Sequence, residues 1–522
     1  MSIELDRAPS RLTTIKADIF ASIVVLLVAL PLSMGLALVA GYPFENAAAV
    51  GLISGVIGGV VVGLLSGCPL QVSGAANGAA VMAAVFIKDL GFEVFGLIVM
   101  MSGFIQIAAG VLRFGPVFRA VSPALIQGML AGIGLLIFAS QFHVMVDDTP
   151  PGTGQEFGGV INLWSLPIAV WKGVTMQAHE PAALIGLLTI AAILSWRRFA
   201  PGWLSFIPAP LVGVGLATAV AAFFAFDIKY VPAPDDLLAA VSLPTAHTLG
   251  RIGEGALWAA ALSLAFVSGA ESLLTATAVD AMQRRTPRTR YNKELIAQGV
   301  GNFLCGALGV LPVSGVIVRS SANVTAGGRT RLATILHGVW ILLFITLAPD
   351  VLRIIPVASL AAVLVYAGLN LINLSFARFL WGQDRIETGI YAATMATVVA
   401  TDVLTGIAVG VALAVARLLY TFSHLNIRSE RVNGMTVLHL EGAATFIRLP
   451  QLAAVFEALP PGARVHVHLN ELSYIDHASL DLLASWDEQL RNDGGELVLD
   501  WDALHGLFRE RARPTPATAV AA

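Results

Sequence analysis

"GCPLQVSGAANGAA" (residues 67–80) and "GVLPVSGVIVRSSAN" (residues 309–323) carry the same punctuation: a proline, then Val-Ser-Gly, then a short run with helical character. Gly, Val and Ala are abundant in this chain, so a three-letter match alone proves little. What gives the match weight is where the two copies fall in the topology.

The chain has 522 residues, of which 57% are hydrophobic and only 12% charged, far too apolar for a soluble protein with one or two ordinary cores. Apolar runs recur over residues 19–39, 47–65, 72–87, 94–112, 123–142, 181–196, 204–226, 256–282, 295–310, 315–324, 332–347, 354–372, 388–400 and 403–422. Runs of this kind cross a hydrocarbon layer of about 30 Å as helices, which satisfy their own backbone groups. The expected fold is therefore mainly α, a polytopic membrane protein with fourteen transmembrane segments over residues 18–424. Residues 1–17 read as a cytoplasmic lead-in and not as a signal peptide. A net charge of −3 without a basic field gives no reason to expect nucleic acid as a partner. Cys68 and Cys305 lie among apolar residues and read as packing residues, not as a disulfide or metal site.

With the N-terminal Arg7, Arg11 and Lys16 inside, the inside loops hold Arg113, Arg119, "WRRF" (196–199), "RRTPRTRYNKE" (284–294), "GGRTR" (327–331) and "RFLWGQDR" (378–385). The outside loops, such as "VDDTPPGTGQEFGG" and "VPAPDDLL", are acidic or neutral, with Lys172, Lys229 and Arg251 as exceptions. This agrees with the positive-inside rule and puts both termini in the cytoplasm. The two copies of Val-Ser-Gly then open the third and the tenth segments, the third of each half. Seven spans per half invert the second half relative to the first, the pattern of an inverted-repeat transporter built around broken helices.

From Arg428 the pattern changes to a small α/β domain. "VNGMTVLHLEGAATF" alternates like paired strands, "RLPQLAAVFEALPPG" has helical spacing, "ARVHVHLNELSYI" reads as one buried strand, "SLDLLASWDEQLRNDGG" as a helix and "ELVLDW" as a strand. The domain is expected over 430–512, with a disordered tail over 513–522.

A helix that begins inside a membrane leaves its first amides unpaired, with roughly half a positive charge at that end. Two such ends meeting from opposite sides form an anion site. The amides after Ser73 and Ser314 are its expected ligands, with the two hydroxyls as caps or as extra donors. Arg319, just over one turn into the tenth segment, either contacts the anion or pairs with a carboxylate to hold helices together. Glu271 is the coupling candidate: it carries a proton, or binds a cation together with Thr275 one turn along, or forms a permanent ion pair with Arg319. Asp280 reads as a partner of Arg284 or Arg285, while Arg329 and Arg331 mark the cytoplasmic boundary. A kink at Pro31 would turn neighbouring side chains such as Leu32, Ser33 and Leu36 toward the pocket, and Asn77 offers an amide contact or a structural one. His143 and His337 read as interfacial. Metal-ligand spacing, a phosphate loop and a nucleophile elbow are all missing from the sequence, which leaves no case for an enzyme or for a cofactor beyond Na+ or H+.

"AESLLTATAVDAMQRRTPRTRYNKELIAQGVGNFLCGALGVLPVSGVIVRSSANVTAGGRTR" (residues 270–331) closely resembles the central signature of the SulP anion transporters, and "VHLNELSYIDHASLDLL" (467–483) resembles the core of their C-terminal STAS domain. The resemblance implies a seven-plus-seven inverted repeat with core and gate domains, a homodimer, and an elevator-type movement of core against gate. It also implies substrate contacts at Leu32, Leu36, Ser73, Asn77, Gly315, Val316 and Arg319, and a coupling role for Glu271. Leu32 stands where many relatives have Gln, which thins the polar side of the pocket. His477 follows Asp476 where STAS relatives have a phosphorylatable serine, and Ser479 is not in the equivalent place.

The function expected is secondary active transport of a small anion (bicarbonate, sulfate or a short dicarboxylate) by proton or sodium symport across the inner membrane. Its rivals are an uncoupled exchanger or channel, a nucleobase carrier, disfavoured by Arg319, and a signalling scaffold on a membrane anchor.

Overall fold

The structure, a computed structural model, describes residues 11–499 except 43, 119–121, 153–156, 205–206, 232–239, 284–285, 433–434, 461 and 470–471. Arg7, Arg119, Arg284, Arg285, most of the "VPAPDDLL" loop and the 513–522 tail lie outside those residues.

Each of the fourteen apolar runs holds a helix, some with short helical turns between them. In chain order these are α1 (Arg11–Val39), α2 (Phe44–Val56), α3 (Asn77–Leu90), α4 (Phe92–Val111), α5 (Pro123–Met145), α6 (Glu180–Phe199) and α7 (Ala209–Phe223). The second set is α8 (Gly255–Met282), α9 (Tyr291–Ala307), α10 (Ile317–Thr325), α11 (Leu332–Leu347), α12 (Val357–Leu371), α13 (Arg385–Ala400) and α14 (Val403–Ser423). Among the described residues eight helical stretches are long and apolar enough to cross a membrane on their own, and α7 and α11 are shorter apolar helices. This is a multi-pass membrane protein.

Local chemistry starts several of these helices where the sequence allows it. Ser122 caps α5, accepting from the amide of Ala124, with Pro123 at the first helical position where a missing N–H costs nothing. Asp384 caps α13 in the same way, accepting from the amides of Ile386 and Glu387. Pro31 sits inside α1, which stays helical through it although the ring removes one backbone donor. The run over 47–65 is not a uniform α-helix: α2 passes into a π-helical stretch, Ile57–Val62, the kind of irregularity often found beside functional sites.

The two Val-Ser-Gly copies are neither helix nor loop but strands. Strand β1 (Ser73–Ala75) pairs antiparallel with β2 (Val313–Gly315), joining Ser73 to Gly315, Gly74 to Ser314 and Ala75 to Val313. The register is unchanged when the two copies are exchanged. The pairing brings the starts of α3 and α10 to one place, although their sequences stand more than two hundred residues apart. The free edge of β2 is satisfied by side chains: Asn302 Oδ1 accepts from Val313 N at 2.7 Å and Ser272 Oγ from Gly315 N at 2.9 Å. Buried backbone groups away from water need such partners.

The chain divides into two compact units at Gly410–Val411, inside α14 and earlier than the 424 boundary read from the sequence. The reason is that the end of α14 is hydrogen-bonded to the soluble domain. That domain is a sheet in the order β3 (Leu425–Val432), β4 (Met435–Ala444), β5 (Arg464–His468), β7 (Glu496–Leu499), with β6 (Leu472–Ile475) pairing the end of β4. The stretch read as one strand is therefore two, β5 and β6, both parallel to β4. Helices α15 (Leu449–Glu457) and α16 (His477–Asn492) carry Leu452, Phe456, Leu483 and Leu490 into a core with Leu438, Leu440, Val465 and Val467.

Candidate anion and coupling site

Strand β1 turns into α3 at Ala76, and β2 turns into α10 at Val316. Neither junction has a side-chain cap, which corrects the reading of Ser73 and Ser314 as capping hydroxyls. Period-two alternation explains the change: because Ser73 stands opposite Gly315 and not Ser314, the two hydroxyls leave opposite faces of the ladder. Ser73 Oγ accepts from Gln298 Nε2 at 2.6 Å, and Ser314 Oγ donates to Glu271 Oε2 at 2.9 Å.

Glu271, from the middle of α8, occupies the start of α3. Its Oε1 accepts from the amide of Gly78 at 3.1 Å while Oε2 takes the Ser314 hydroxyl. A carboxylate at the electropositive end of a helix is in its favoured place. The approach is close at Gly78, where a Cβ would lie 2.5 Å from Glu271 Oε1 and the carboxylate would have to shift. One turn further along α8, Thr275 Oγ1 donates to the Gly315 carbonyl at 2.9 Å. Glu271, Thr275, Ser314 and Gly315 are thus one hydrogen-bonded group spanning both interrupted segments.

Arg319, in the first turn of α10, is completely buried. Its Nη2 donates to Ser33 Oγ of α1 at 3.0 Å and to the Ala75 carbonyl at 3.3 Å. Its Nε and Nη1 have no partner, and among the described residues no carboxylate pairs with it. The Glu271–Arg319 ion pair kept open in the sequence reading is not formed. The guanidinium lies against Gly74, where a Cβ would stand 2.1 Å from Nη1.

Several amides expected to await an anion are already satisfied. Gly315 N donates to Ser272, Val316 N to the Val72 carbonyl at 3.0 Å, and Gly78 N to Glu271. The first intrahelical bond of α10 runs from Ser320 N to Val316 O, so the amides of Ile317, Val318 and Arg319 lie ahead of it. Asn77 opens α3 with a buried Oδ1 that has no partner. Leu36 is fully buried, and Leu32 packs with Met34, Leu52, Ile341 and Leu360.

The structure adds residues that the sequence reading passed over. Gln71, 2% exposed, has no partner for either carboxamide atom and faces Gly315. Glu294, completely buried, accepts from Ser66 Oγ, Gly67 N, Cys68 N and Gln298 Nε2 at 2.6–3.0 Å, and so links the Ser66–Cys68 turn to Ser73. Gln71 precedes the apolar run over 72–87 and Glu294 closes the loop over 284–294, so neither stands out in the sequence as a polar group inside an apolar run. His143 and His337 are both buried within the protein: His143 bonds Ser165 Oγ at 2.9 Å, and His337 packs against Gly59 of the π-helical stretch. Asp280 accepts from Thr289 N and Oγ1. Arg331 donates to the Leu64 carbonyl, and Asp18 takes the amides of Arg329 and Thr330.

Two interrupted segments meeting over a buried carboxylate and a buried guanidinium, in a multi-pass helical bundle with a C-terminal α/β domain, define the class of the molecule. Residues 15–394 match the model of the sulfate permease family and residues 427–509 that of the Mlab-type STAS domain, and the chain belongs to the sulfate permease family. It is 26% identical over 393 residues to the putative sulfate transporter YbaR of Bacillus subtilis, covering 74% of this chain and 72% of that protein. With the bicarbonate transporter BicA of Synechocystis it shares 27% identity over 377 residues, covering 70% of this chain and 62% of BicA. The solved structure of SLC26A9 matches with a TM-score of 0.72 at 17% identity, over 97% of this chain and 88% of that one, which establishes a shared fold. The family and these relatives are transporters, not enzymes.

Proposed function

We propose that this protein is a secondary active transporter of a small anion, with bicarbonate, sulfate or a short dicarboxylate as substrate. The observation that carries the reading is Arg319: a fully buried guanidinium with two unpartnered nitrogens, beside the ladder from which α3 and α10 start. Leaving such donors unpaired is costly, and a bound anion would supply what they lack. Anion transport by the sulfate and bicarbonate relatives supports the same reading.

Glu271 would couple transport to proton or sodium entry. It already bridges both interrupted segments, so protonating it or placing a cation beside it with Thr275 would bear on both helix starts together. Fourteen crossings, the inverted repeat, an elevator-type displacement, a homodimer and inner-membrane placement with cytoplasmic termini belong to the same proposal. The exchange-symmetric register of β1 and β2 supports the inverted repeat. Uptake of labelled bicarbonate, sulfate and succinate into proteoliposomes, under separate pH and sodium gradients, tests it. Accumulation driven by one gradient is the expected result; exchange or current without proton or sodium flux would mean an uncoupled exchanger or channel.

A further inference from the structure

The soluble domain holds the end of the last membrane helix. Thr445 Oγ1 donates to the Phe422 carbonyl at 3.0 Å, Arg448 Nε to the Ser423 carbonyl, and Ala443 N to the His424 carbonyl at 3.0 Å. The last carbonyls of a helix have no intrahelical partner. Here the last two, of Phe422 and Ser423, and the carbonyl of His424 just beyond the helix are taken by residues 443–448 of the domain. The turn Phe446–Arg448 is tied from its other side as well, because Phe446 N donates to Asp476 Oδ2 at 2.5 Å.

This clamp fixes the depth of two large apolar side chains. Phe446 is 67% exposed and Ile447 54% exposed, and both leave the turn whose neighbours bond the terminal carbonyls of α14. Tyr474, 44% exposed, stands edge-on to Phe422 with ring centroids 5.4 Å apart, and Tyr420 stacks on His424 at 3.6 Å. The helix is 21 residues of high hydropathy and passes directly into the soluble domain, so its end lies where hydrocarbon gives way to headgroups. Apolar side chains interleaved with tyrosines are suited to that layer.

We propose that the Phe446–Ile447 turn is a membrane-surface contact, seated in the phospholipid headgroup layer beside α14, which fixes the tilt of the soluble domain against the bilayer. The occupant is a lipid surface because the patch continues a lipid-spanning helix at its own depth. The inference does not depend on what the protein transports.

The test places a nitroxide on the full-length protein as Ile447→Cys, in vesicles of phosphatidylcholine and phosphatidylglycerol, with Asp493→Cys in the exposed turn after α16 as reference. The native Cys68 and Cys305 are 1% and 0% exposed and escape labelling. Power-saturation measurements should show the 447 label reached by oxygen and shielded from a water-soluble nickel chelate, with the 493 label showing the reverse. Equal access of the chelate to both labels would overturn the proposal. So would shielding of the 447 label from both reagents, which would mean that a second copy of the chain covers the patch. Phe446→Cys gives the same reading should Ile447→Cys fail to fold.

Discussion

Ser73 stands opposite Gly315 across the two-strand ladder, and this offset of one residue sends the hydroxyls of Ser73 and Ser314 to opposite faces. One faces Gln298, the other Glu271. The site is therefore two-sided, with a buttress of carboxamides behind and a carboxylate and guanidinium in front.

Replacing Glu271 by Gln keeps the size of the side chain and removes its charge and its protonation. One terminal atom can still accept, from either Gly78 N or Ser314 Oγ, while the other becomes an amide donor. Gradient-driven accumulation in proteoliposomes should be abolished while some anion exchange survives. Unaltered accumulation would remove Glu271 from coupling.

Arg319→Ala removes the unpartnered donors. A charge-assisted hydrogen bond contributes about 1.5–3 kcal/mol, which corresponds to roughly a ten- to hundredfold loss of anion affinity. Arg319→Lys keeps the charge but not the planar fork and should restore only part of it. Titration calorimetry with the transported anion measures both; wild-type affinity in the alanine variant would make Arg319 a structural residue only.

Gly74→Ala tests the close approach of strand and guanidinium. Its Cβ would arrive 2.1 Å from Arg319 Nη1, so the side chain must swing away from Ser33 and the Ala75 carbonyl. The expected signature is a raised KM for the anion with normal expression, and a strain of about 1–3 kcal/mol in thermal unfolding.

Gln298→Leu strips a donor from both Ser73 and the buried Glu294. Leaving buried acceptors short of a partner costs about 1–3 kcal/mol. The loss should shrink in a Ser73→Ala background, because the two residues share one hydrogen bond; strictly additive melting shifts would show that the contact is energetically silent.

Asp148 supplies a pH dependence outside the membrane segments. Burial raises its pKa, but the hydrogen bond and charge of Lys172, 2.8 Å away, outweigh burial and hold it below the usual value. A folded pKa below the unfolded one gives stability that is present above the unfolded value and lost as pH falls through the folded one. Asp148→Asn should flatten that acid limb and cost about 0.2–1 kcal/mol at neutral pH, as a partly exposed pair does, measured by thermal melts across pH.

Residence in a bilayer, the two interruptions at Val-Ser-Gly and the α/β character of the C-terminal domain were legible in the chain, although the break between β5 and β6 was not. Hydropathy, proline, glycine and period-two alternation act over a few residues, so a linear reading captures them. It also singled out Arg319 and Glu271, because a charge inside an apolar run is conspicuous. The pairing of those residues lay beyond it. Glu271 bonds an amide 193 positions away, and Arg319 bonds a serine 286 positions away. Such partners are chosen by how helices pack and by a strand register that a single-residue slip would reverse. Local sequence thus decided where the helices break, and only the folded chain decided which groups face the break.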